Sequence, residues 1–436
     1  MKRVVVIILL TVALLFVLAG IGAVIFFTVN GGFSTNNPFD QRNISSQLEE
    51  NKTLKVDSKK PLTLKVIDEA GEVRITGGEV NTVQVTVIKT AYDSSQSRAD
   101  QEVKGIKYTI EQTNNTVTLK YELPKSMNIR NNVNTVDFIV MVPHEVTVDV
   151  NGSTGEVSVA GTIGNVDIEN DFGDMTVENI QGALFVRTNS GDVNAASIEA
   201  DNEDIELNSD FGAISLKDAN GKDITLDSSS GRITLNQVRA TGNITTRTDF
   251  GDTTFENGSA NSLSIENNSG AVSLVKVQIN KEIKVQNDFG EIELQRAFAA
   301  GYDLHTSSGS ITVDGVKGKL KAYTDFGGIK IENAQSVTLD LKTSSGTVDF
   351  TGSLGDGPHN VKSDFGEIGL TLPTDSKLNV DLKTDFGNIK SDLPVTVMLN
   401  HTANSNGDQI VGSINGGGVQ LTAQTSSGNV NIDASE

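Results

Sequence analysis

The chain has no cysteine and no tryptophan, and only 7 of its 436 residues are proline. Zero cysteines exclude disulfides, thiolate metal centres, a cysteine nucleophile and a lipidated cysteine anchor. Positive charge is scarce: 35 Lys and Arg face 56 Asp and Glu, a net charge of −21. A phosphate backbone needs a basic face, so nucleic acid is excluded as a partner, and adsorption to an anionic lipid or wall polymer is disfavoured. Aromatic residues amount to 5%. The four histidines, His144, His305, His359 and His401, share no motif. No Gly-x-Ser-x-Gly nucleophile turn occurs in a strand-to-helix context.

Glycine is plentiful, with 42 copies. Together with Asn, Asp, Ser and Thr it suits many short strands joined by tight turns. Its placement is periodic. Asp-Phe-Gly recurs at Asp171, Asp210, Asp249, Asp288, Asp325 and Asp364, in steps of 39, 39, 39, 37 and 39 residues, and a seventh copy at Asp385 comes early. Between copies lies a polar-Ser-Gly marker, as in Asn189-Ser190-Gly191 and Ser229-Ser230-Gly231. The unit therefore returns about every 19 residues, and a fixed period of this kind announces a repeat architecture.

Around each marker glycine, apolar residues alternate with polar ones. Leu184, Val186, Thr188 and Ser190 lead to Gly191, then Val193 and Ala195. Such alternation makes strands with one buried face. Two short strands and two turns fill a unit that cannot bury its own apolar face, so the units must stack. The reading is all-β: a parallel β-solenoid of about 19–20-residue coils, with 39-residue coils as the alternative. By parity Phe172 and Ser190 point inward, so the expectation is a large ring packed over a small hydroxyl at each corner. The Thr, Ser or Asn two residues earlier also faces in, where it can hydrogen-bond along the rod. Phe185 and Tyr323 are the outward aromatics, too few for a sugar-stacking stripe. The early Phe386 is expected to follow Phe365 on the next coil and to distort the corner there.

A kinase reading of Asp-Phe-Gly fails for want of a phosphate loop, a strand Lys and a His-Arg-Asp loop. The pairs Asp171/Asp174, Asp249/Asp252, Asp288/Glu291 and Asp364/Glu367 bring Ca²⁺ to mind. Ala213, Gly328 and Asn388 break that pattern, and Asp is an ordinary turn residue. Acids spread evenly along an array do not make the clustered carboxylates of a glycosidase. No catalytic, cofactor-binding or metal-ligating residue is assigned, no cofactor is expected, and the chain is read as a non-enzyme.

The chain divides as follows. Residues 1–3 are a cytoplasmic N-terminus, and residues 4–29 are an uncharged apolar run long enough for one transmembrane helix. Residues 30–60 form a flexible linker, residues 61–150 a β-rich cap, and residues 151–436 the regular solenoid with its closing coils. The bulk is then extracellular on a single-pass membrane protein.

Ser190-Gly191-Asp192-Val193, the approach Val140-Met141-Val142-Pro143 into Gly155-Glu156-Val157, and the close Ser426-Ser427-Gly428-Asn429-Val430 carry a resemblance. Over roughly residues 62–433 the chain resembles the bacterial adhesin-type β-solenoid family, an uncharacterised-domain family. The resemblance implies an envelope-associated, non-enzymatic protein, with membrane-anchored relatives linked to envelope stress. The expected function is adhesin-like binding or envelope organisation through an unidentified envelope protein or glycan. A self-assembling rod joined through the solenoid ends and a polysaccharide-acting enzyme are the alternatives.

Overall fold

A computed structural model describes residues 44–124, 133–403 and 407–435. Its strands form a single 38-stranded sheet wound into a parallel solenoid. Each 19-residue unit is one coil. The strand Leu184–Ser190 bends at Gly191 into Val193–Glu199, and the next coil repeats this with Ile205–Phe211 and Ile214–Gly221. Leu184 pairs with Ile205 and Val193 with Ile214. The 39-residue coil is thereby ruled out, because consecutive units stack on each other.

The core is a column of Val, Ile and Leu. Along Leu184–Ser190, Leu184, Val186 and Thr188 are buried while Phe185, Arg187 and Asn189 are exposed. Each buried aliphatic contributes roughly 1.5–3 kcal/mol, and parallel stacking makes the column continuous from coil to coil. The corner glycines stack as well. At Gly290 φ is +142°, and a Cβ there would lie 2.1 Å from the carbonyl oxygen of Gly270. A side chain is excluded both by backbone conformation and by the neighbouring coil.

Both ends depart from sequential stacking. Near the N-terminus, Thr63–Asp68 lies between Thr116–Tyr121 and Thr147–Thr154, pairing with both. The solenoid thus begins in the second rung, turns back to build the outer one, and returns to the third. The C-terminus mirrors this: Val419–Ser427 slots between His359–Phe365 and Leu378–Phe386. The chain skips a rung and fills it last. Antiparallel strands then cover each end, Thr109–Thr113 on one side and Gly407–Ile414 with Val395–Ala403 on the other.

Three expectations are corrected here. The solenoid preceded by a transmembrane helix gives way to an all-β solenoid whose one helix among the described residues is Gln96–Gly105, 10 residues long. Among the described residues no helix is long and apolar enough to cross a membrane. Residues 4–29, the expected span, lie outside the described residues, so the single-pass placement loses its support. The linker expected over 30–60 contains the strand Ile44–Lys55, paired antiparallel with Thr82–Asp93 along its whole length. Its polar sequence hid it. What anchors it is ionic: Lys89, almost fully buried, binds Glu50 at 2.7 Å, and the Tyr108 hydroxyl donates to Glu50 at 2.6 Å. These hydrogen bonds hold the Glu50 carboxyl below the usual carboxylate range.

Candidate functional site

Most coils turn the marker corner with the same chemistry: the inward polar residue donates to the marker-glycine carbonyl of the neighbouring coil, whereas Thr188 accepts the Ser190 N–H at 3.2 Å and Asn267 donates to Gly270 O of its own coil at 3.3 Å. Thr306 Oγ1 reaches Gly290 O at 3.1 Å, Thr324 reaches Gly309 O at 2.9 Å and Thr343 reaches Gly327 O at 2.9 Å. Asn170 and Asn287 do the same with their amides, at 2.8 and 2.9 Å. The inward placement of Thr, Ser and Asn thus serves a hydrogen-bonded ladder that satisfies buried carbonyls.

Phenylalanine is not in that corner. Beyond the ladder residue the inside–outside alternation stops: Asn170 is buried, and Asp171 and Phe172 are both exposed. Phe172, Phe211, Phe250, Phe289, Phe326, Phe365 and Phe386 are 56% to 67% exposed. The expected corner plug is overturned, and with it the statement that outward aromatics are too few to form a stripe. Sequence reasoning missed the stripe because parity was carried one residue too far. The available signal was the unvarying Asp before each Phe, a charged neighbour that marks a chain already leaving the core.

The rings are collinear. Strand register places them in the spatial order Phe172, Ser190, Phe211, Ser230, Phe250, Ser269, Phe289. The order continues Ser308, Phe326, Ser345, Phe365, Ser427, Phe386. Phenylalanine and serine alternate without exception, so the rings stand roughly 9.6 Å apart at ~4.8 Å per rung, in a row of roughly 58 Å. A parallel row of carboxylates accompanies them. Asn189 donates to Asp171 at 2.9 Å, Asn268 to Asp249 at 2.8 Å and Ser344 to Asp325 at 3.4 Å, so the intervening rung orients the acids.

The acids after the glycine serve the turns. The Asp174 carboxylate accepts the N–H of Asp192 at 2.8 Å, and Asp252 accepts that of Ala271 at 3.0 Å. Among the described residues no group of three or more metal-ligating side chains converges. Tyr323 donates to Asp340 at 2.5 Å beside His305, and burial together with that carboxylate pushes its phenol up to about 12. His144 sits against Gly161 O at 2.6 Å, and His359 is buried near the far end, bonded to the Leu339 N–H at 3.2 Å. The side chain of His401 lies outside the described residues.

The family model described as Toastrack DUF4097 matches residues 62–258 and again 257–433. The chain belongs to this family. The two Toastrack matches meet inside the regular array, where the rows run through without interruption. No curated protein matches the chain. Among solved structures, a "putative cell adhesion protein" from Clostridium sporogenes is 10% identical, covering 89% of this chain and 100% of its own at a TM-score of 0.20. A "putative adhesin" from Bacteroides fragilis is 14% identical over 66% of this chain and 97% of its own, at a TM-score of 0.25. A "putative lipid binding protein" from Parabacteroides distasonis is 14% identical over 68% and 97%, at a TM-score of 0.30.

Proposed function

We propose that this Toastrack chain is a non-enzymatic, adhesin-like binding rod that contacts a cell-envelope protein or glycan along its phenylalanine edge. One observation carries the reading: seven phenylalanines stand exposed in a line on every second rung. Monomeric proteins rarely leave so much apolar surface aligned along one edge in water unless it meets something. The adjoining carboxylates and serines supply hydrogen-bonding groups at fixed spacing. The phenol of Tyr323, pushed up to about 12, is far from the near-neutral value that suits a general acid or base.

Co-sedimentation with isolated envelope material tests this. The full chain is expected to pellet with the material, and the Phe250→Ser/Phe289→Ser variant to remain in solution. Equal pelleting of the two chains would overturn the assignment of the edge.

A further inference from the structure

The phenylalanine edge has a geometry that narrows its occupant. We infer that it is a homotypic interface on which a second copy of this chain docks side by side. The inference rests on the edge being the contact surface and specifies what meets it. Three arguments support a second copy.

The first is commensurability. A partner that uses the whole row must match a repeat of roughly 9.6 Å, set by two rungs of a parallel sheet. A second copy matches it by construction. The edge is also self-complementary, since each ring is flanked along the row by serine rungs, as Phe289 is by Ser269 and Ser308. A two-fold axis across the edge, falling between a phenylalanine rung and a serine rung, sends every ring of one copy onto a serine rung of the other. Such an isologous contact closes as a dimer.

The second is area. With about 150–250 Å² for a whole aromatic side chain, a row of this exposure presents on the order of 800 Å². A stable protein–protein interface buries about 800 Å² per partner.

The third is the charge beside the row. Asp249 and Asp288 flank the central rings, and the two-fold arrangement brings the two acidic rows to the same side. Their repulsion is screened as the Debye length falls from about 10 Å at 0.1 M salt to 3 Å at 1 M. Association along this edge must therefore strengthen with salt, whereas a contact held by ion pairs would weaken.

The chain has no cysteine, so Asp288→Cys in the full chain creates a sole thiol at the centre of the row. A short bis-maleimide cross-linker, whose spacer bridges thiols too far apart for a direct disulfide, is expected to give a covalently linked dimer of this variant, in a yield that rises with salt. Gln295→Cys, an exposed position on the other strand of the same coil, is expected to stay monomeric. Adding Phe250→Ser and Phe326→Ser to Asp288→Cys is expected to lower the dimer yield roughly tenfold or more, as when central aromatic anchors are removed. Because these rings are exposed, an unchanged thermal midpoint confirms that the variant remains folded. An Asp288→Cys chain that stays unlinked at every salt concentration, or links equally without the two rings, overturns the inference. If the chain then still pellets with envelope glycan in a phenylalanine-dependent way, the occupant is a glycan and the reading of the edge stands. If neither occurs, both fail.

Discussion

Phe386 stands two rungs from Phe365, and Ser427 pairs with both. The seventh Asp-Phe-Gly copy is early in the sequence yet on schedule in space. The distorted corner expected there does not occur, because the rung between the two rings is filled from the end of the chain. A stop codon after Gly418 would leave that rung empty. His359–Phe365 and Leu378–Phe386 would then lose their shared partner. Limited proteolysis of the truncated chain is expected to cut within residues 374–418 while the array before residue 357 stays protected; equal resistance of the two chains would contradict the insertion.

This region shows what the sequence can and cannot reveal. The period, the corner glycines and the inward Thr, Ser and Asn are local signals, and Thr324 and Thr343 lie where alternation puts them. The order of filling is a long-range choice. Val419–Ser427 carries the same pattern as any other coil, so nothing within it says which rung it takes. The phenylalanine edge was lost for a different reason. Alternation is a property of the strand, and it ends at the buried ladder residue, so Phe172 obeys the geometry of the corner and not the parity of Leu184–Ser190 or its neighbours. The strand Ile44–Lys55 was hidden because its pairing rests on backbone hydrogen bonds and the Glu50–Lys89 pair, with little apolar pattern to betray it.

The hydroxyl ladder can be tested at Thr343. Thr343→Val keeps the shape but removes the donor to Gly327 O, and is expected to cost about 1–3 kcal/mol in denaturant unfolding. Thr343→Ser retains the donor and should recover most of that loss. A valine variant as stable as the parent would show that the ladder is incidental.

The stacked glycines are expected to tolerate nothing larger. In Gly290→Ala, the methyl group would meet Gly270 O at 2.1 Å on a backbone with φ of +142°. The combined clash and strain is expected to exceed about 3 kcal/mol, seen as a lowered unfolding midpoint or failure to fold. Gly301→Ala is the control, since its nearest neighbour would be 3.9 Å away; a drop of similar size there would refute the corner argument.

Asp68 occupies the ladder position near the N-terminal end with one carboxylate oxygen unpartnered. Burial, with Asp137 and Glu69 nearby, pushes its carboxyl up from 3.8 to about 8. The folded state therefore holds the proton more tightly than the unfolded state. Its stabilising contribution is full below about pH 4, declines between pH 4 and 8, and is lost above pH 8. The buried His359 slopes the other way, since burial lowers its value and its contribution is lost as pH falls below 6.5. Asp68→Asn isolates the first effect: its stability relative to the parent is expected to rise with pH across that window. A difference that does not vary with pH would contradict the assignment.

The outward phenylalanine row is tested most directly by the unfolding free energy of Phe250→Ser/Phe289→Ser, measured by denaturant titration at low protein concentration. Rings that stand mostly in solvent should cost within about 1 kcal/mol in total. A loss of about 3–5 kcal/mol for each ring, the cost of emptying a packed aromatic site, would place the phenylalanines back in the corner and contradict the binding edge.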